Sequence, residues 1–184
     1  MLRLCSSSKT RSMLLRNAGI SFIQESVHFD EEAIVASSPK NFVYQATLGK
    51  YNANLAAFGY ADMPLLVADT VVTSQGHILR KANSIDDARN ILLTQSGNMT
   101  TIITCMIYES KEKKIIDISQ TNYIFADFNL TELDAYLESG EWEGKAGACM
   151  VEGFCKPYIK EVHGYESTAM GLSIEVLKKF IRGS

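Results

Sequence analysis

Pro64-Leu65-Leu66-Val67-Ala68-Asp69-Thr70-Val71-Val72 is the stretch that decides the fold. A short apolar, β-branched run behind a proline predicts a strand covered on both faces. Asp69 interrupts it. Either the strand stops at Ala68 and Asp69-Thr70 is an ordinary polar turn, or the strand continues through the carboxylate. In the second case Asp69 has to be paired or to meet a cation, because a lone buried carboxylate is costly to desolvate.

Composition bounds what can surround this strand. The 184 residues suit one domain or two small lobes, and 46% hydrophobic with 21% charged residues is ordinary for a globular chain. A net charge of -3 gives no basic footprint for nucleic acid, so no stable nucleic-acid partner is expected. No apolar run approaches the roughly 20 residues of a membrane span. Ser6-Ser7-Ser8-Lys9 breaks the N-terminal apolar stretch too early for a signal peptide. The four cysteines, Cys5, Cys105, Cys149 and Cys155, lack zinc-type spacing and are too few for a disulfide scaffold. His28, His77 and His163 are scattered and form no ligand pair. Together these features predict a reduced, cytoplasmic protein.

Outward from the central strand, the chain alternates strands and helices, which predicts an α/β fold with a mixed sheet. Leu2 to Cys5 is a short strand, Ser6-Ser7-Ser8 a loop, and Lys9 to Ala18 a helix stopped by Gly19. Strand, small-residue loop and helix aim N–H groups and hydroxyls at an anion, with Arg11 placed for a bidentate phosphate contact; the plainer alternative is a Ser8 cap beside a solvated arginine. Ile20 to Val27 is expected as a strand, and His28-Phe29-Asp30-Glu31-Glu32 either binds a metal or caps the next segment. Ser38-Pro39 opens a long helix to about Phe58 that carries Lys50, by default a solvated charge. A hairpin turning near Ser74-Gln75-Gly76 delivers Arg80 and Lys81 to a loop.

Ser84-Ile85-Asp86-Asp87 is an acidic variant of the capping box and opens a third helix, ended by Ser96-Gly97. Met99 to Phe128 is a two-stranded ribbon turning at Glu109 to Lys114, read as architecture rather than site; exposed, it could pair protomers as a homodimer, which nothing in the pattern demands. Thr131-Glu132-Leu133-Asp134 is expected to cap a helix through Glu138. The glycine-rich loop Ser139 to Gly147 is too irregular for packing alone and suits ligand binding. A strand around Tyr158 to Val162 and a helix from Gly171-Leu172-Ser173 to Ile181 close the chain. One domain, 1–184, is expected, with Arg182-Gly183-Ser184 suspected to be an appended tail.

These stretches together resemble the Maf family of nucleoside triphosphate pyrophosphatases, collinearly over nearly the whole chain. Leu4-Cys5-Ser6-Ser7-Ser8-Lys9-Thr10-Arg11 is similar to the family's Ser-x-Ser-x-Arg-Arg loop, with Ser6, Ser8 and Arg11 in register. Asp30-Glu31 falls at its acidic pair, Lys50 at the lysine of its second helix, and Ala68-Asp69-Thr70-Val71-Val72 at its most recognisable strand end. Lys81 matches the lysine after the hairpin. Gly140-Glu141, Gly144-Lys145-Ala146-Gly147 and Glu152-Gly153 match the late loop, and Gly171-Leu172 the final turn. The chain departs from the pattern at Thr10, where the first of two arginines is usual, and at Lys9, where a proline is. Glu152 looks like the branch acting on 7-methyl-GTP, and Thr70 like the branch acting on dTTP and UTP, so the two signatures are mixed.

The resemblance implies a Maf and inosine-triphosphatase-like α/β fold: a mixed twisted sheet flanked by helices, two lobes around a central cleft. It implies hydrolysis of a nucleoside triphosphate, non-canonical or modified, to a monophosphate and pyrophosphate, in nucleotide-pool cleaning. Ser6, Ser8, Arg11, Lys50 and Lys81 would take phosphate oxygens, with Arg11, Lys50, Asp69 and Lys81 catalytic. Asp69 and Glu31 would hold Mg²⁺ or Mn²⁺, and Thr70 and Glu152 would set the base. The other reading is a nucleotide-binding regulator of septum formation with little catalysis. No Gly-x-x-x-x-Gly-Lys-Ser/Thr loop is present to suggest a P-loop kinase.

Overall fold

The computed structural model describes residues 1–31 and 34–181. Glu32 of the acidic cluster and the tail Arg182-Gly183-Ser184 lie outside the described residues. The elements run β1 (Leu2–Leu4), α1 (Lys9–Asn17), β2 (Phe22–Gln24), α2 (Pro39–Phe58), β3 (Leu65–Ser74), β4 (His77–Leu79) and α3 (Ile85–Gln95). They continue with β5 (Met99–Glu109), β6 (Lys114–Phe125), α4 (Leu130–Ser139), β7 (Ile159–His163), α5 (Glu166–Ala169) and α6 (Ile174–Ile181). The sheet is mixed, in the order β2-β1-β3-β5-β6-β7 with β4 paired to β3. β1 is parallel to both β2 and β3, whereas β4 on β3 and β7 on β6 are antiparallel.

The chain forms two compact units, one of residues 1–70, 103–120 and 165–184, the other of 71–102 and 121–164. β3, β5 and β6 supply residues to both.

In the first unit β3 does not stop at Ala68, and its alternation organises two cores. Leu66 and Ala68 join Leu2, Leu4, Leu15, Met106, Leu172 and Leu177. Leu65 and Val67 turn the other way, to Cys5, Tyr51 and Ile107, with Leu48 and Leu55 of α2 against them. Successive side chains of a strand point to opposite faces, so Asp69 follows Val67 toward α2 and Thr70 follows Ala68 toward α1. Leu65 to Ala68 are at most 1% exposed. Full burial of a large aliphatic side chain is worth about 1.5–3 kcal/mol, which anchors the strand end that carries the two polar residues.

The helices begin where their caps dictate. Ser8, Ser38 and Ser84 accept from the backbone N–H of Arg11, Asn41 and Asp87, each satisfying a donor that a helix start leaves unpaired. α4 differs from expectation: Asn129, not Thr131, is the cap, accepting from Thr131 N and Glu132 N, so the helix starts at Leu130. The strand expected over Ile20 to Val27 shortens to Phe22–Gln24. α5 and a 3-10 turn at Lys156–Tyr158 have no sequence counterpart in the expectation.

In the second unit an aromatic cluster forms beneath the late loop. Phe154 stacks on Tyr136 at 4.5 Å and meets Phe128 at 5.3 Å and Tyr158 at 5.5 Å. Such pairs contribute about 0.5–1.5 kcal/mol beyond area burial. The reading of all cysteines as reduced is corrected here. Cys149 and Cys155 form a disulfide with Cα atoms 6.3 Å apart, while Cys5 and Cys105 are free and buried. A single six-residue spacing matches no disulfide framework, so the sequence alone does not reveal the pair.

Candidate active site

Two side-chain clusters in the first unit gather most of the residues singled out by sequence. The first surrounds the start of α1. Ser6 Oγ accepts from the Ser8 backbone N–H at 3.2 Å and from Arg11 Nη1 at 3.0 Å, and Ser8 Oγ caps the helix through Arg11 N at 3.3 Å. Both hydroxyls act as acceptors in these bonds and keep a hydrogen to donate. The first turn of α1 carries no acidic residue, so nothing there competes with an incoming anion for the positive end of the helix.

Arg11 Nε donates to Gly171 O at 2.8 Å and Nη2 to Thr70 Oγ1 at 3.2 Å. Three of the five guanidinium N–H groups are thereby engaged among the described residues. Burial lowers the Arg11 pKa and the Asp69 and Glu31 carboxylates oppose that shift. An arginine remains protonated under such conditions, so this is a fixed, partly desolvated cation.

The second cluster centres on Lys50, whose Nζ lies 2.9 Å from Asp69 Oδ1 and 2.5 Å from Glu31 Oε1. Its position follows from α2. Ala46, Lys50 and Asn54 recur every four residues, and Ala46 and Asn54 are buried, so Lys50 is carried on the face that meets β3. The default expectation of a solvated lysine is overturned, since only 23% of its side chain is exposed. Glu31 is brought there by Phe29, whose ring packs on Gly49. A Cβ at Gly49 would lie 2.1 Å from Phe29 Cζ.

Asp69 Oδ2 is buried and has no hydrogen-bond partner among the described residues. An unsatisfied buried polar atom costs about 1–3 kcal/mol, more when charged. Two carboxylates, one with an orphaned oxygen, fit a hard divalent cation that takes oxygen ligands. No group of three or more His, Cys, Asp or Glu able to hold a metal occurs among the described residues. Asp69 and Glu31 thus fit a cation whose remaining ligands are waters or phosphate oxygens, as is usual for Mg²⁺.

In the second unit, Lys81 is exposed and itself forms an antiparallel bridge with Ala146, with Gly147 N donating to Arg80 O at 3.1 Å. The glycine-rich loop is more architectural than its sequence suggested. Trp142 is buried and its indole N–H bonds Leu137 O at 2.9 Å. Gly147 has φ +68°, its O accepts from Gln95 Nε2 at 2.7 Å, and a Cβ there would lie 2.9 Å from Val72 Cγ1. Glu152 is exposed at the middle of the turn closed by the Cys149–Cys155 disulfide. The sequence does not point to Gly171 as a partner of Arg11, nor to Thr104 and Thr168, which bond Thr70 and Gly171 behind it. The threonines belong to an unremarkable β run and a four-residue helix, and only the tertiary fold joins them.

On a mixed α/β sheet, two consecutive residues of β3 serve two clusters: Asp69 meets Lys50, which also pairs with Glu31, and Thr70 meets Arg11 at the start of α1. The family model described as Maf-like protein matches residues 1–184, and the chain belongs to the Maf family. A nucleoside triphosphate pyrophosphatase of a Nitratiruptor species is 53% identical over 184 residues, covering 99% of each chain. Proteins of the same name from Helicobacter pylori (strain J99 / ATCC 700824) and Campylobacter jejuni subsp. jejuni serotype O:23/36 (strain 81-176) are 37% and 35% identical. The first alignment covers 96% of this chain and 92% of the relative, the second 98% and 100%.

Proposed function

We propose that this protein is a hydrolase that converts a nucleoside triphosphate and water to the monophosphate and pyrophosphate. The observation that carries the reading is the unpartnered Asp69 Oδ2, with Lys50 and Glu31 beside it and the Arg11 cradle on the next residue of the strand. A triphosphate carries about four negative charges, and fixed donors and cations stabilise the charge that grows on a leaving pyrophosphate. Ser6, Ser8 and Arg11 hold phosphate oxygens. Lys50 places a positive charge on the same group, and Asp69 Oδ2 orients or deprotonates the attacking water. Asp69 and Glu31 would hold Mg²⁺ or Mn²⁺, which supplies charge neutralisation and a more acidic bound water.

Lys81 is proposed for a phosphate oxygen and Glu152 for the base, both on the family resemblance. Modified or non-canonical triphosphates are the proposed substrates, in the cytoplasm, with nucleotide-pool cleaning as the role. Among the described residues no helix is long and apolar enough to cross a membrane.

The test is a panel of canonical and modified triphosphates with Mg²⁺ or Mn²⁺, following pyrophosphate and orthophosphate separately. Pyrophosphate release that falls about 10²-fold or more in Asp69→Asn is the expected result. Orthophosphate alone would make the protein a phosphatase. Tight nucleotide binding without turnover would favour the septum-regulator reading.

A further inference from the structure

Arg11 is held by a closed ring of hydrogen bonds in which Thr104, a residue 0% exposed, is the far member. Thr104 Oγ1 donates its one hydrogen to Thr168 O at 2.7 Å. In the 2.9 Å contact between the Thr104 and Thr70 hydroxyls, Thr104 can therefore only accept, so Thr70 donates. With its hydrogen spent, Thr70 Oγ1 faces Arg11 Nη2 as an acceptor at 3.2 Å. On the other side, Thr168 O also accepts from Gly171 N at 3.0 Å, fixing the turn whose Gly171 O receives Arg11 Nε at 2.8 Å. Gly171 has φ +103°, and a Cβ there would lie 3.2 Å from Thr70 Oγ1 and 3.4 Å from Arg11 Nε. Glycine is thus required both by the backbone conformation and by the close approach.

We infer that Thr104 is a positioning residue for Arg11, setting its guanidinium through the Thr70 hydroxyl on Nη2 and through the Thr168–Gly171 turn on Nε. The hydroxyl of Thr70 then serves the phosphate side of the site rather than reading a base. The catalytic consequence rests on the proposed role of Arg11 as a phosphate contact; the geometric one does not. Thr104→Val keeps the shape and removes the hydroxyl, leaving Thr168 O with one donor fewer and Thr70 without its acceptor. Thr104→Ser keeps both bonds.

Two readouts separate the claims. The first is the solvent exchange of the Arg11 Nε–H by ¹⁵N NMR, the resonance assigned by its loss in Arg11→Gln. Exchange is expected to quicken in Thr104→Val and to stay at the wild-type rate in Thr104→Ser. An unchanged rate in Thr104→Val overturns the inference whatever the enzyme does. The second is pyrophosphate release from dTTP, UTP and 7-methyl-GTP by wild type, Thr104→Val, Arg11→Gln and the double variant. Thr104→Val is expected to lower kcat/KM about tenfold, as loss of a buried hydrogen bond does. It should have no further effect in the Arg11→Gln background, because residues acting as one unit are non-additive. An equal loss in both backgrounds overturns the inference while leaving the hydrolase reading intact. Full activity in Arg11→Gln, or no release by wild type, strikes the proposed function, and the exchange rates still decide the geometry.

Discussion

Lys50 sits between two carboxylates, and its charge decides how they behave. Without it, Asp69 and Glu31 would lose the cation in direct contact with both and keep only the more distant charge of Arg11, Asp69 with 11% and Glu31 with 38% of its side chain exposed. Because Glu31 and the lysine are partly solvated, the loss is discounted well below that of a fully buried pair, to about 1–2 kcal/mol. Lys50→Met is therefore expected to lower Tm, and added Mg²⁺ to restore more of it in the variant than in wild type. A cation that binds only the folded state stabilises it by mass action. Equal and negligible Mg²⁺ effects on both proteins would remove the carboxylate pair as a cation site. At this scale the sequence was informative about residue types and poor about partners. Asp69 inside an apolar strand announced that something must compensate it, yet only the α2 register shows that Lys50 does so.

The segment that delivers Glu31 is set by a gap in a helix. Gly49 lies inside α2, where glycine costs about 1 kcal/mol relative to alanine. Its return is the ring of Phe29, which occupies the volume a Cβ would fill, with Cε1 and Cε2 at 2.6 Å. Gly49→Ala should leave the helix intact, since the obstructing atoms are the end of a side chain that can rotate. What yields is the segment from Phe29 to Glu31. The expected outcome is a folded protein that needs a several-fold higher Mg²⁺ concentration for half-maximal pyrophosphate release. Gly49→Ala with Phe29→Ala frees the clash but not the lost anchor, so the requirement should stay raised. Recovery in the double variant would show that the ring does not place Glu31.

The late turn offers a second case at this scale. A disulfide across six residues closes a short loop, so the chain-entropy account gives it only about 2 kcal/mol. Dithiothreitol should lower Tm modestly and leave the aromatic stack beneath it in place. A reduced protein that loses near-ultraviolet aromatic dichroism would mean that the disulfide, not the stacking, holds the turn. Element types were legible because strand alternation and capping serines are local signals. Asn129 displaced Thr131 as a cap because an Asn side chain can reach two backbone donors at once, a competition that spacing alone does not rank.

At the scale of the whole molecule, the α/β class and the collinear family motifs were legible from one end of the chain to the other. Two lobes were among the readings, but where the chain passes from one unit to the other was not legible, because β3, β5 and β6 read as single uninterrupted strands. Stability at high pH depends on the groups that the first unit buries. Desolvation pushes the thiols of Cys5 and Cys105 from 9.0 up to about 11. The unfolded chain gives up these protons first, so their contribution is complete below pH 9 and is lost as pH rises through 11. Tyr136, pushed up to about 12 by burial and the Glu141 and Glu152 carboxylates, extends the loss upward in the second unit. Cys149 and Cys155 do not titrate while paired and add nothing to the slope. The urea midpoint is expected to fall between pH 9 and 11 in wild type and to fall less steeply in Cys105→Val. That variant keeps an apolar side chain in the same space and removes the ionisable group. If its slope matches wild type while its midpoint at pH 7 is unchanged, Cys105 is not buried as a neutral thiol. The packing of Cys105 beside Thr47, whose Oγ1 lies 2.7 Å from Val43 O in α2, would then need revision.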